Sequence, residues 1–229
     1  SMPTETLKRA TATFACDFAQ GYGSTEGGMV TRLTPEDHRK DRGGRDDLLL
    51  SCGRPLANVG VRIAPPGNSE DDTVGEIMVT SPMTMARYWR NADATAATIE
   101  DGWLRTGDLG RIDDEGYLYI LDRKSDMIVT GGENVYPREV EDIMLQDADI
   151  LEVAVFDLPD ARWVQKVVAA VVPRGALDPD ALLLRVRQKL AGYKCPKQIF
   201  VTDSLPKNAA GKVLRKVLRE SYRDRAAVK

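Results

Sequence analysis

Four stretches of the chain carry residue types able to handle a phosphorylated ligand. The first is Gln20-Gly21-Tyr22-Gly23-Ser24-Thr25-Glu26-Gly27-Gly28. Gly21 and Gly23 admit a ligand close to the backbone, Thr25 offers a hydroxyl, and Glu26 offers a hard oxygen suited to Mg²⁺. The stretch misses the Gly-x-Gly-x-x-Gly pattern, because its last glycine falls one place late. Read alone, it is also a tight turn with a solvated glutamate. The second is Gly102-Trp103-Leu104-Arg105-Thr106-Gly107-Asp108-Leu109-Gly110. Asp108 could accept both hydroxyls of a ribose diol, or it could cap a hairpin turn. Trp103 reads as a core or turn-packing aromatic. The third runs from Leu121 to Pro137 and contains Arg123, Ser125 and Gly131-Gly132. Arg123 could bind phosphate or ribose, and the glycines would let a loop press on a thin ligand. A charged linker before a helix explains the same residues. The fourth is Leu205-Pro206-Lys207-Asn208-Ala209-Ala210-Gly211-Lys212-Val213. Lys212 on such a loop could place a point charge against a developing negative oxygen, or it could be a solvated lysine at a helix start.

These stretches need elements to hold them. Residues 5–14 read as a helix and Phe18–Tyr22 as a strand entering the glycine turn. Residues 34–47 have loop composition, and His38 inside them reads as a solvated loop histidine. Val59, Val61 and Ile63 alternate, as do Gly75–Thr80 and the residues from Tyr117 to Leu121, the last after the turn Asp113-Asp114-Glu115-Gly116. Short strands divided by turns predict a β-rich unit, a barrel or folded sheet. After Asp122 the pattern changes. Pro137 suits a first helical turn, with Val140, Ile143 and Met144 on one face. Leu151–Phe156 and Val167–Val172 are strand-length apolar runs. Asp178-Pro179 starts a helix carrying Leu182, Val186 and Leu190, and Leu214, Val217, Leu218 and Tyr222 mark a last amphipathic helix. The expected fold class is mixed α/β: a β-rich part over residues 1–122, then a small α+β domain over 123–229.

Composition narrows the chemistry. The 229 residues carry 32 Lys+Arg against 35 Asp+Glu, a net charge of −3, which gives no basic footprint for nucleic acid. The single histidine, His38, excludes a multi-histidine metal site. Cys16, Cys52 and Cys195 form no Cys-x-x-Cys pair, which points to a reducing compartment. No run of about 18 apolar residues predicts a transmembrane helix, and no signal-peptide core is visible. Ser1-Met2 reads as a tag remnant ahead of a start methionine, so the length reads as set by cloning.

The order and joint presence of the four stretches carry more than each alone. Tyr-Gly-Ser-Thr-Glu, Trp-x-x-Thr-Gly-Asp, Asp-Arg-x-x-Asp-x-Ile and Gly-Lys follow one another as in the adenylate-forming (AMP-binding) superfamily, which the chain resembles from about Phe18 to Arg219. Gly131–Glu141 and Tyr193-Lys194-Cys195-Pro196-Lys197 are most similar to bacterial fatty-acyl and related carboxylate–CoA ligases. The resemblance implies the β-barrel-like tail of a large N-terminal domain, then a small mobile C-terminal domain. It implies a two-step reaction on a fatty or aryl carboxylic acid. The carboxylate attacks the α-phosphate of Mg·ATP to give acyl-AMP, and CoA then displaces AMP.

By the same resemblance Tyr22 packs on adenine, with Gly21 and Gly23 beside the nucleotide. Thr25 binds phosphate, Glu26 holds Mg²⁺, Asp108 takes the ribose hydroxyls, and Arg123 binds nearby. Lys212 bridges the carboxylate and the α-phosphate. Ser125 matches the hinge, where many relatives carry Asp or Lys. Gly131, Gly132 and Trp163 contact CoA in the second step. Two departures stand out: Val129 replaces a lysine of luciferases and coumarate–CoA ligases, and Trp163-Val164-Gln165 replaces a frequent Trp-Gly-Glu.

The family's upstream Ser/Thr/Gly-rich phosphate loop and most acyl-pocket residues are not in the sequence. The expectation is therefore a C-terminal portion that is inactive alone. Phe14 and Phe18 are then expected to pack poorly, which would favour self-association. The protein of origin is expected to be cytoplasmic and bacterial, with peripheral membrane association left open. Two rival readings remain: an acyl-AMP ligase loading a carrier protein, and a non-catalytic nucleotide-binding module.

Overall fold

The computed structural model describes residues 4–40, 46–64, 73–209 and 211–223. The fold is mixed α/β, and the chain divides into two compact units, residues 1–124 and 125–229. Among the described residues no helix is long and apolar enough to cross a membrane.

The first unit runs α1 (Thr4–Thr13), β1 (Gln20–Ser24), β2 (Gly28–Leu33), α2 (Pro35–Lys40), a 3₁₀ turn (Asp46–Leu50), β3 (Arg54–Pro55), β4 (Gly60–Ala64), β5 (Gly75–Thr80), α3 (Ala92–Thr98), β6 (Ile99–Glu100), β7 (Trp103–Ile112) and β8 (Leu118–Arg123). Its strands form two sheets: β1-β2-β3, and a five-stranded sheet in which β5 and β7 are central, β4 flanks β5, and β6 and β8 pair with β7. Val30, Ile77, Val79 and Leu118 form one core, and Leu33, Leu48, Tyr117 and Tyr119 form another.

Two expectations for this unit need correction. Residues 34–47 are not all loop, because Thr34 begins a helix. Its hydroxyl accepts from the Asp37 backbone N–H (3.3 Å), while the Asp37 carboxylate accepts from the Thr34 N–H (2.9 Å) and hydroxyl (2.9 Å). This is a capping box with Pro35 at the first helical position, a local signal that overall polarity hid. His38 is consequently not solvated: it is buried, and its Nδ1–H donates to the Thr34 carbonyl at 2.8 Å. Phe14 is 60% exposed, but Leu7 is buried, so α1 is anchored on its own chain.

The second unit runs β9 (Ile128–Thr130), β10 (Glu133–Val135), α4 (Pro137–Met144), β11 (Ile150–Asp160), β12 (Val164–Pro173), α5 (Pro179–Arg187), β13 (Gln198–Val201) and α6 (Arg215–Tyr222). The antiparallel pair β11–β12 is its spine, and β13 lies parallel to β12. Alternation along the spine separates two faces. Val153, Val155, Val167, Ala169 and Val171 pack with Val140 and Met144 of α4 and Leu182 and Val186 of α5. Ala154, Phe156, Leu158, Val168 and Ala170 pack with Leu218 and Tyr222 of α6. Leu214 and Val217 were expected on that helix's buried stripe but are 38% and 39% exposed. The Asp178 side chain caps α5 by accepting from the Asp180 and Ala181 N–H groups.

Candidate active site

In the first unit the register of β7 and β8 sets Asp108 directly opposite Arg123. Arg123 Nε lies 3.1 Å from Asp108 Oδ1, and the Tyr22 hydroxyl donates to Oδ2 at 2.8 Å. Asp108 is buried, so both partners matter to holding its charge. Each carboxylate oxygen can accept a further hydrogen bond, which leaves capacity for a diol. Burial and the neighbouring Asp108 carboxylate push the Tyr22 phenol well above its usual range, so it remains a donor. Gly107 turns the strand at φ +72°, and the Thr106 hydroxyl accepts from the Asp108 N–H at 3.1 Å. The Thr-Gly-Asp order is thus a local device for aiming one carboxylate.

Tyr22 stands on the β1–β2 hairpin. A Cβ at Gly23 would lie 2.3 Å from the Gly28 carbonyl oxygen, so the hairpin itself demands glycine there. A Cβ at Gly21 would crowd the flexible Met29 thioether at 2.7 Å and meet the Thr31 carbonyl oxygen at an ordinary 3.5 Å. Thr25 at the tip is exposed. Glu26 Oε1 accepts from the Tyr88 hydroxyl at 3.1 Å, a partner 62 residues away. Trp103 is half-buried beneath the Arg62 guanidinium, 4.4 Å from the ring centre.

Ser125 is exposed, and the residues on either side of it are fixed into separate units. Lys124 donates its backbone N–H to Gly107 (2.8 Å) and its ammonium to Glu76 (3.1 Å). Asp126 pairs with Arg215 (3.3 Å) and Arg219 (3.5 Å) of α6. Burial alone would raise the Glu76 carboxyl, but hydrogen bonds from Lys124 and Arg105 outweigh it and hold it below its ordinary value. A depressed folded pKa gives stability that is complete above the unfolded value and lost as pH falls through the folded one. Acid should therefore lower the urea midpoint of the first unit in that window, and less so in Glu76→Gln. An identical pH dependence in the two proteins would refute this.

In the second unit Gly131 (φ +61°) and Gly132 (φ +92°) form the two-residue turn between β9 and β10. Positive φ at both positions is what such a hairpin requires. A Cβ on Gly131 would meet the Trp163 ring at 2.8 Å, and the Gly131 N–H donates to the Trp163 carbonyl at 3.1 Å. The ring also lies under Arg162 (4.7 Å) and Lys197 (5.8 Å). The next residue, Val164, sits at φ +67° and is 78% exposed. A left-handed conformation costs a β-branched residue about 1–2 kcal/mol. Glycine removes that strain but adds about 0.5–1 kcal/mol of unfolded-chain entropy. Val164→Gly should therefore stabilise this unit by about 0.5–1 kcal/mol, seen as a higher urea midpoint. A lower midpoint would contradict the assigned strain.

Lys212 lies on a tight loop closed by an isolated bridge between Lys207 and Val213. Asn208 clasps it: its side chain accepts from the Lys212 N–H and its own N–H donates to the Lys212 carbonyl, both at 2.9 Å. The Lys212 side chain is exposed and makes no ion pair among the described residues.

Comparison with known proteins decides the family. Residues 1–89 match the description "AMP-binding enzyme" and residues 139–212 match "AMP-binding enzyme C-terminal domain", together well over half of the chain. The chain belongs to the AMP-binding enzyme family. It is 41% identical to a 2-succinylbenzoate–CoA ligase of Bacillus cytotoxicus over 202 residues, covering 88% of this chain and 41% of the relative. It is 38% identical to a long-chain-fatty-acid–CoA ligase of Mycobacterium tuberculosis over 222 residues, covering 95% and 42%. Among solved structures it resembles the amide bond synthetase McbA of Marinactinospora thermotolerans, with TM-score 0.85 and 35% identity over 96% of this chain and 45% of that one. It also resembles the o-succinylbenzoate CoA synthetase of Bacillus subtilis in complex with its acyl-adenylate, with TM-score 0.83 and 36% identity over 95% and 44%. The chain thus spans about two-fifths of the length of the relatives it matches.

For an AMP-binding enzyme, the donor set around Glu26 suits a magnesium ion. Among the described residues no group of three or more His, Cys, Asp or Glu could hold a metal alone. One carboxylate with a free oxygen fits Mg²⁺, which takes one or two carboxylates and completes its shell with phosphates and water. Sequence reading gives no role to Tyr88 or Glu76 and names Gln165 only as part of a departure, yet all three hold residues of this family member's motifs in place. No local pattern marks them, because each acts across a long sequence separation.

Proposed function

We propose that the intact protein is an ATP-dependent carboxylate–CoA ligase, acting on a fatty or aryl acid. The observation that carries this reading is the buried Asp108 held by Tyr22 and Arg123, three residues distant in sequence brought within 3.1 Å. Such a carboxylate suits a ribose diol, with the Tyr22 ring beside the base. A carboxylate oxygen of the substrate forms a bond to the α-phosphorus while the bond to pyrophosphate breaks. Lys212 then opposes the negative charge that builds on the phosphoryl oxygens. Mg²⁺ held by Glu26 would neutralise phosphate charge, and Thr25 would donate to phosphate. In the second step the CoA thiol attacks the acyl carbon and AMP leaves. Gly131, Gly132 and Trp163 would line the path of CoA. Ser125, between a Lys124 and an Asp126 fixed in different units, would be the hinge between the two steps.

A second reading concerns only the acceptor. The similarity to an amide bond synthetase favours an amine in place of the thiol. A carrier-protein thiol is a further acceptor of the same chemistry. The intact protein, given ATP, a carboxylate and each acceptor in turn, separates these by the product formed. The 229-residue chain alone is proposed to be inactive, so pyrophosphate release from it would refute that part.

A further inference from the structure

The ion pairs that fix Asp126 continue through the second unit and return to the same segment three residues later. Arg219, which holds Asp126, also donates through Nε to Asp157 Oδ1 at 2.6 Å. The other Asp157 oxygen accepts from Gln165 Nε2 at 3.1 Å. Gln165 Oε1 then accepts the backbone N–H of Val129 at 2.7 Å. The relay therefore braces both ends of the stretch that leads into Gly131-Gly132.

The last contact has a specific geometric reason. Across the two-residue turn Thr130 faces Glu133, and Val129 faces Asn134. In an antiparallel ladder the pair next to the turn exchanges hydrogen bonds and the following pair does not. The Val129 N–H therefore points away from β10. Strand β12 reaches β9 only at Val164 opposite Thr130, so the Gln165 side chain serves where a strand would otherwise pair. A primary amide can accept from Val129 and donate to Asp157 at once, whereas leucine of similar size can do neither. Val129 is 42% exposed, so packing gives this position little hold.

We propose that Gln165 is a positioning residue: it sets the Val129–Gly132 loop for the acceptor-dependent second step. This rests on the two-step reading above. The loop has two glycines at positive φ and depends on outside contacts for its shape; Gln165 holds its entrance, and the Trp163 carbonyl holds Gly131. Arg219 and Arg215 face the relay from α6, against Asp157 from β11, Glu141 from α4 and Asp126 beside Ser125, so the neutral amide adds no charge to a group that already holds three carboxylates and two guanidiniums.

Two measurements test this. On the 229-residue chain, amide exchange at Val129 should quicken about tenfold in Gln165→Leu, the effect of losing one ordinary hydrogen bond. Gln165→Glu keeps the acceptor but replaces the donor to Asp157 with a like charge, so it should restore the protection only in part. On the intact protein, Gln165→Leu should lower kcat/KM for CoA about tenfold. Carboxylate-dependent ATP–pyrophosphate exchange should stay within about twofold. Gln165→Glu should recover only part of the CoA step, because its carboxylate faces Asp157 where the amide donated. A merely structural role would lower both steps together. Equal losses in both steps, or no change in Val129 exchange, would overturn the proposal and leave the ligase reading standing. A wild-type protein that exchanges pyrophosphate but never acylates CoA would overturn the acceptor reading, and this proposal with it.

Discussion

Replacing Lys212 with alanine in the intact protein is expected to slow acyl-adenylate formation by about 10²–10³-fold, the usual loss when one preorganised charge donor is removed from a transition state. Transfer of a preformed acyl-adenylate to CoA should change by less than about threefold, because the ammonium acts only where phosphoryl charge develops. The loop itself supports this separation. Its shape comes from the Asn208 clasp, the Lys207–Val213 bridge and the bond from Leu214 N–H to Pro206, none of which uses the lysine side chain. An exposed side chain without structural partners can be truncated at a cost within about 0.5 kcal/mol of stability. ATP–pyrophosphate exchange reads the first step, and single-turnover thioester formation from synthetic acyl-adenylate reads the second. Equal loss in both would show that Lys212 is not specific to adenylation.

Asp108→Asn should weaken nucleotide binding by about 10²-fold, since hydrogen bonds to a charged group are each worth about 1.5–3 kcal/mol. The substitution keeps shape but removes the charge that Tyr22 and Arg123 address. An asparagine must also turn one end of its amide toward two donors, so one of Tyr22, Arg123 or the diol faces an N–H. Arg123 is 60% exposed along its side chain and can be hydrated instead, so most of the structural cost falls on the half-buried Tyr22. The KM for ATP and the dissociation constant for AMP should rise together. Unchanged AMP affinity would remove Asp108 from the nucleotide site.

Much of the fold was legible because its signals are local. Pro137, Asp178-Pro179 and the alternating valines of β11 and β12 each act within a few residues. Strand β11 nevertheless runs on to Asp160, past the apolar stretch ending at Phe156, because residues 157–160 go on pairing with β12 and Leu158 is buried. The 34–40 segment was misread by composition although Thr34-Pro35-Glu36-Asp37 carries a helix start. On α6 the spacing of Leu214 and Val217 fitted a stripe, but only Leu218 and Tyr222 meet the sheet. The site divides in the same way. Asp108, Arg123 and Lys212 stand in recognisable strings. What holds them is not local: the facing of Asp108 and Arg123 depends on a register shift at Leu109/Gly110, and Asp126 finds Arg219 across 93 residues. A carboxylate's partner at that distance leaves no trace in spacing.

The proposed activity of the intact protein is activation of a carboxylate with ATP and transfer of the acyl group to CoA. The most direct measurement is AMP release by the intact protein with ATP, CoA and carboxylates from acetate to long-chain and aryl acids. Mass detection of the thioester completes it. AMP and acyl-CoA should form in equal amounts for at least one acid, both about 10²–10³-fold more slowly in Lys212→Ala. AMP formed without acyl-CoA, or no carboxylate-dependent AMP across the panel, would contradict it.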